Sequence, residues 1–284
     1  MPTLLIAGPI ALDDLPDHPG SLGGEGAYAA IAAAPLATTQ LWAQGGSDIN
    51  HQVRDLLKRR HVDLAGVTWQ GPVHQGTVAL AGPDSVLPQL EPTEADNVGA
   101  VLLVGLPAAD LARAVNTVRN MPGGETRPLL IRPRLAGLDG TLLAQAAAAA
   151  DVLLIPQDVA MAMTGTASAL AAGRALQKQG AKTVLLSAGA LGGTICYGQL
   201  ATTWPTAPCD SDDTLANGAV FAGAVAAWCG GAGAVDFSAV KRATAVASAV
   251  VTLRMQGPGP RRLLSSSREE YLDRFNRLRR NAKY

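Results

Sequence analysis

The residues of this 284-residue chain best placed for chemistry lie where an acidic loop runs into an apolar segment, DSDDTLANGAVFAGA, Asp210 to Ala224. From Ala219 to Trp228 the residues are apolar nearly all round, the composition of a buried helix. The N-terminus of such a helix offers unpaired backbone N–H groups and the positive end of its dipole, so it can hold an anion such as a phosphate. Asn217 and Gly218 can both take the left-handed dihedrals from which a nest of N–H groups is built. A plainer reading fits the same residues: an Asx-turn that caps a core helix.

Two other segments could approach a ligand. Leu22-Gly23-Gly24-Glu25-Gly26-Ala27-Tyr28 sets two glycines before an Ala-rich helix, which lets backbone come close to a bound molecule or simply forms a loop. Ser187-Ala188-Gly189-Ala190-Leu191-Gly192-Gly193 follows an apolar run; it suits a nucleotide phosphate or a hairpin into Thr194–Tyr197. Each of the three segments, taken singly, admits its plainer reading.

The elements that must position these segments alternate. Thr3–Ala7, Leu41–Gln44, Val101–Val104, Leu129–Arg132, Val152–Ile155 and Thr183–Ser187 read as strands. Glu25–Ala34, His51–Arg60, Pro107–Arg119, Leu138–Ala149 and Ser168–Gln179 read as helices between them. That rhythm predicts an α/β fold, a doubly wound and mainly parallel sheet flanked by helices. Ligand sites then collect at the carboxyl ends of the strands. Pro16–Gly23 reads as a short Pro/Gly loop, and Val67–Pro92, with Thr77–Ala81, as a hairpin or two short strands. Together, residues 9–22 and 67–92 predict a small β lid on a single domain spanning 1–284. Gly218–Trp228, Ser238–Arg254 and Ser267–Asn281 read as closing helices.

Composition excludes several classes. Apolar residues make up 48% and charged residues 16%, enough for a large core. The formal net charge is zero and no long run carries one sign, which argues against nucleic acid or a membrane surface as partner. Cys196, Cys209 and Cys229 are far apart and predict neither a disulfide framework nor a zinc site; no metal-ligating cluster is expected. The first residues enter an apolar strand with no basic region before it, so a cytoplasmic protein without a signal peptide is expected.

The order and spacing of these segments, from IAGPIALDDLPDHPGSLGGEGAYAAIAAAPLATTQLWAQGGSD through HVDLAGV and the Gly189 segment to DTLANGAVFAGA, resembles the ribokinase (PfkB) carbohydrate kinases along essentially the whole chain. The resemblance implies a ribokinase-like fold whose small lid often makes a dimer contact. It also implies transfer of the ATP γ-phosphate to a hydroxymethyl group of a sugar, nucleoside or related alcohol, with Mg²⁺. By position, Asp13, Gly23, Gly24 and Tyr28 would face substrate, Asp13 holding hydroxyls. Ser187, Gly189 and Gly192 would face the nucleotide. Ala216, Asn217, Gly218 and Ala219 would form the anion hole.

The same resemblance marks three departures. The family's DTxGAGD ends in the catalytic Asp; here Asp213-Thr214-Leu215-Ala216-Asn217-Gly218-Ala219 ends in a methyl group and replaces the first glycine by Ala216, which predicts a distorted nest. The family's P-N-x-x-E, which organises Mg²⁺, is Pro156-Gln157-Asp158-Val159-Ala160. Its D-P-N is Arg132-Pro133-Arg134. These losses predict a degenerate member with lost or strongly impaired phosphoryl transfer that binds a small molecule or partner, in effect a pseudokinase. The alternatives are an active divergent kinase in which Asp210, Asp212 or Asp213 replaces the base, and an assembly subunit dimerising through the lid. Arg132 and Arg134 favour an anionic ligand if they face the pocket; otherwise they are solvent-facing arginines at a strand end.

Overall fold

The computed structural model describes residues 3–15, 18–47, 49–71, 74–75, 86–88, 98–207, 209, 213–232 and 235–282. In chain order the elements are β1 (Thr3–Ala7), β2 (Ala11–Leu15), β3 (His18–Gly23), α1 (Glu25–Ala33), β4 (Thr39–Gly45), α2 (His51–Arg59), β5 (Val62–Asp63), β6 (Val67–Trp69), β7 (His74–Gln75) and β8 (Val98–Val104). There follow α3 (Ala108–Asn120), β9 (Leu129–Arg132), α4 (Gly140–Ala149), β10 (Val152–Pro156), α5 (Gln157–Thr164), α6 (Ala169–Lys178) and β11 (Thr183–Ser187). The chain closes with β12 (Gly193–Tyr197), β13 (Leu200–Trp204), α7 (Asn217–Ala232), α8 (Phe237–Arg254), α9 (Arg261–Ser265) and α10 (Arg268–Ala282).

Ten strands form one sheet in the order β13-β12-β11-β10-β9-β8-β1-β4-β5, with β6 on β4. Strands β5 to β11 of that order run parallel, and β12 and β13 add antiparallel at one edge. The central strands are buried along nearly their whole length because helices cover both faces. Alternation then splits their side chains between two cores. Leu4, Ile6, Leu102, Val104 and Leu130 pack with α1, α7 and α8. Leu5, Ala7, Val101, Leu103 and Ile131 pack with α3, α4 and α6. Winding reverses between β1 and β8, which opens the crevice where ligands bind in such sheets.

A separate three-stranded sheet, β3-β2-β7, forms the lid. Here the expected loop at Pro16–Gly23 is corrected: residues 18–23 are a strand paired antiparallel with β2, Leu12 opposite Leu22 and Asp13 opposite Ser21. Pro19 is tolerated because β3 lies at the sheet edge, and Gly20, at φ 68°, takes up the irregular register. Within 67–92, β6 belongs to the main sheet, parallel to β4, and among the described residues of this region β7 joins the lid. Thr77–Ala81 lies outside the described residues. Helix α5 was not expected; a left-handed Gly165 ends it.

Candidate functional site: the mouth of helix α7

Helix α7 is buried because its residues are small enough for close packing. A Cβ at Gly223 would strike the backbone of Ala29, so α1 and α7 cross nearly backbone to backbone. This fixes the N-termini of both helices at the carboxyl ends of β1, β8 and β9.

The turn that enters α7 is held by Arg254, the last residue of α8, which is fully buried. Its Nη1 and Nη2 donate to the two oxygens of Asp213 at 2.9 and 2.8 Å, and its Nε donates to the Leu215 carbonyl at 3.0 Å. The Leu215 N–H donates to Asp213 Oδ1 at 3.0 Å, which makes the Asx-turn. Hydrogen bonds from Arg254 hold the Asp213 carboxyl below the usual carboxylate range; partial burial opposes this and the Leu215 N–H assists. Two sequence expectations are corrected here. The left-handed residue is Ala216, at φ 55°, whereas Asn217 and Gly218 are not in that region and open the helix. The turn therefore keeps its left-handed step without the glycine, at a cost of about 1–2 kcal/mol. Ala219 is fully buried, so its methyl lies in the core and not in an open pocket.

Arg132, ending β9, reaches the same helix mouth. A Cβ added at Gly218 would sit 2.6 Å from an Arg132 guanidinium nitrogen, so the guanidinium lies directly on the start of α7. Its Nη1 donates to Glu25 Oε1 at 2.5 Å. Glu25, the first residue of α1, rests on Gly105 just past β8, at φ 65°, where a Cβ would collide with its carboxylate. Among the described residues, the second Glu25 oxygen, Oε2, is buried without a hydrogen-bond partner, as is Oδ1 of Asn217. Of the two readings left open for Arg132, it takes the buried one; it is 9% exposed. Arg134 is half-buried.

On the lid side, Asp13 is buried at 3% exposure and accepts a 3.4 Å hydrogen bond from the Tyr28 hydroxyl. Its carboxylate lies against Gly23, which has no room for a side chain, and Gly24 at φ 90° turns the chain into α1. Burial, then the Asp13 charge, pushes the Tyr28 phenol well above its ordinary pKa. The Arg254 guanidinium lies 6.0 Å from the Tyr28 ring centre. Asp13, Tyr28, Arg254 and Asp213 thus form one chain of contacts from lid to helix mouth.

The Ser187 segment is a hairpin. A short 3₁₀ turn at Gly189–Leu191 joins β11 to β12, with Gly189 and Gly192 both left-handed. Ser187 ends β11, and Leu191 at the turn is 88% exposed. Gln157 opens α5 and Ala160 is fully buried. Among the described residues no three His, Cys, Asp or Glu side chains gather to hold a metal ion. The methyl groups of Ala160 and Ala219 supply no oxygen ligand for a cation such as Mg²⁺, and Asp210 and Asp212 lie outside the described residues. No described helix is long and apolar enough to cross a membrane.

Glu25, Gly105 and Arg254 were not singled out from the sequence. Arg254 carried a signal, as the basic end of an otherwise apolar run, Ala243–Leu253. Glu25 looked like an ordinary acid in the first turn of a helix.

This chain is similar in structure to aminoimidazole riboside kinase from Salmonella enterica, solved with aminoimidazole riboside and an ATP analog: TM-score 0.81, 17% identity, over 96% of this chain and 99% of the other. It is similar to Arabidopsis thaliana ribokinase, solved with ribose and ATP, at TM-score 0.76, 19% identity and 96% and 98% coverage. Fructokinase from Vibrio cholerae, solved with fructose, ADP and a calcium ion, gives 0.75, 18%, and 96% and 98%. The chain therefore has the ribokinase-like α/β fold. No family model matches the sequence, and no curated protein does.

Proposed function

We propose that this ribokinase-like protein binds a small hydroxylated ligand, of sugar or nucleoside type, and has lost or nearly lost phosphoryl transfer to it. The observation that carries this reading is the Arg132 guanidinium seated on Gly218 and paired with Glu25, in front of the helix that the resemblance assigns to the transferred phosphate. Two further features support it. The base position is a fully buried methyl group, and the nearest acid along the described turn, Asp213, has both oxygens bound by Arg254. A positioned general base contributes about 10²–10⁴ in rate, which is about 3–5.5 kcal/mol of barrier. Asp13, at the lid end of the crevice, supports a ligand with hydroxyl groups. By the resemblance alone, the Gly189 turn would face a nucleotide, and ATP with Mg²⁺ would be the cofactors were transfer retained.

The test is direct. Purified protein with ATP and Mg²⁺ is offered sugars, nucleosides and inositols, and ADP release is followed alongside the thermal midpoint. The expected result is a ligand-dependent rise in the midpoint, since binding to the native state stabilises by mass action, with no ADP above the background rate. Robust ADP release that Asp212→Ala or Asp213→Ala abolishes would overturn this reading in favour of an active divergent kinase.

A further inference from the structure

The second half of α10 is basic in a chain of zero net charge: Arg274, Arg277, Arg279 and Arg280 stand in it, with no acid after Asp273. Arg279 and Arg280 belong to the last turn, where a cation suits the negative end of the helix. Arg274 and Arg277 come before that turn and, at i and i+3, share one face. This face borders an open cavity of about 430 Å³ between α10, the end of α8 and the segment that follows β13. Asn281, one turn beyond Arg277, lines it too, as do Thr252, Thr206 and the apolar Leu278.

The two guanidiniums are short of acids. Among the described residues neither pairs with a carboxylate, and Glu270, the acid whose charge acts on Arg274, is bound by Arg262. Burial pushes the Arg274 guanidinium below its ordinary pKa; Glu270 opposes this, while the positive charges of Arg262 and Arg277 add to it. Arg274 donates instead to neutral acceptors, the Thr252 hydroxyl at 3.3 Å and Gln256 Oε1 at 2.7 Å. The threonine protons are already used, Thr206 donating to the Ala190 carbonyl at 2.6 Å and Thr252 to that of Ala249 at 2.8 Å. The donors left to the cavity are therefore two cations and the Asn281 amide, a set that calls for an anion.

We propose that this cavity binds a short dicarboxylate, whose two carboxylates meet Arg274 and Arg277 and whose carbon chain lies on Leu278. A planar guanidinium fork matches the edge of a carboxylate, and two forks on one helix face match two carboxylates joined by a few carbons. A monocarboxylate leaves one cation unmatched, and inorganic phosphate brings no chain to the apolar wall. Arg274 also ties the cavity to the α7 turn, because Thr252 and Gln256 stand two residues on either side of Arg254. The proposal is independent of what the α7 mouth binds.

The experiment uses the full chain at constant ionic strength, by calorimetric titration and thermal shift. The probes are succinate, glutarate and citrate, with propionate, inorganic phosphate and ADP as separate arms. At least one of the first three is expected to bind at least tenfold more tightly than propionate or phosphate, and saturating ADP should not displace it. Arg277→Met, at an exposed position, should keep its fold by circular dichroism and weaken that ligand about tenfold or more, the scale of one charged hydrogen bond. Arg280→Met removes the same charge from the last turn of α10, away from the cavity lining, and should leave binding within about twofold. Four results each overturn the proposal: no polycarboxylate binding at millimolar concentration; propionate or phosphate binding as tightly; Arg277→Met binding like wild type, or no more weakly than Arg280→Met; or displacement by ADP, which would make the cavity part of a nucleotide site. ATP-dependent turnover would sink the non-transferring reading and leave these measurements unaffected.

Discussion

Two arginine–carboxylate pairs flank the start of α7, and they are built to opposite specifications. Arg254–Asp213 is bidentate, joined to the backbone at Leu215, and places a fully buried guanidinium against a carboxylate that is 40% exposed. Arg132–Glu25 joins elements far apart in the chain through a single oxygen and leaves the second oxygen bare. A planar fork matched to both oxygens of a carboxylate is the strongest and most directional ion pair available to a protein. The first pair is therefore a staple that shapes the turn, while the second is a single-point contact between α1 and the end of β9. The difference lies in how firmly each pair is tied: the end of α8 is fixed to the turn at three points, and the start of α1 is joined to Arg132 at one.

The largest effect should follow from cutting the staple. Arg254→Met leaves the Leu215 carbonyl without its donor and Asp213 without its cation, and should cost about 3 kcal/mol, the low end for breaking a buried pair because Asp213 can turn to water. Chemical denaturation measures this. The same pair sets an acid dependence. A carboxyl held below its ordinary value contributes stability that is full above about pH 3.9 and is lost as pH falls through the depressed native value. Wild type should lose stability over that acid range, and Arg254→Met should show a flatter limb. A steep limb unchanged in the variant would mean that Asp213 is not what Arg254 holds.

Next in size is the attempt to restore an acid at the base position. Ala219→Asp places a carboxyl at a fully buried position in the core beside Val220 and Ala222, and should cost about 2 kcal/mol as an unpaired buried polar group. It should release no ADP with ATP and any alcohol, because Arg132 still covers the helix start. Recovered transfer would show that the missing base alone silences the site. Gly105→Ala attacks the second pair through its seat. The left-handed backbone alone costs about 1–2 kcal/mol, and the new methyl meets the Glu25 side chain. Chemical denaturation should show a loss of that size.

Much of the fold was readable because apolar runs of strand length alternate with segments of helical period, and that rhythm does not depend on side-chain detail. The lid strand β3 was hidden because Pro19 and Gly20 are tolerated at an unpaired edge, where pairing with β2 on the other side decides the structure. At the site, Asp13, Gly24 and Asp213 were singled out through the family resemblance, and the structure links Asp13 to Asp213 through Tyr28 and Arg254. The ion pairs were not. Glu25 and Arg132 are 107 residues apart, and Asp213 and Arg254 are 41 apart; nothing in local spacing says which arginine finds which acid. The left-handed Ala216 was hidden for a related reason: the staple holds a strained dihedral that the residue alone would avoid.

The smallest expected change in stability is the one that most sharpens the contrast between the pairs. Glu25→Gln keeps the side chain's shape on Gly105, keeps an acceptor for Arg132 and removes one charge. The Arg132 guanidinium stays charged, but the amide oxygen still accepts its hydrogen bond, so only the charge of one partly exposed partner is lost and no hydrogen bond is left unmade. A loss below about 1 kcal/mol is expected, against about 3 kcal/mol for the staple. The amide also supplies an N–H, although the bare position on Gly105 offers it no acceptor, so no gain from that atom is expected. Should Glu25→Gln instead destabilise as strongly as Arg254→Met, the two pairs would be equals. Arg132 would then be a structural cation fixed by Glu25 as firmly as Arg254 is by Asp213.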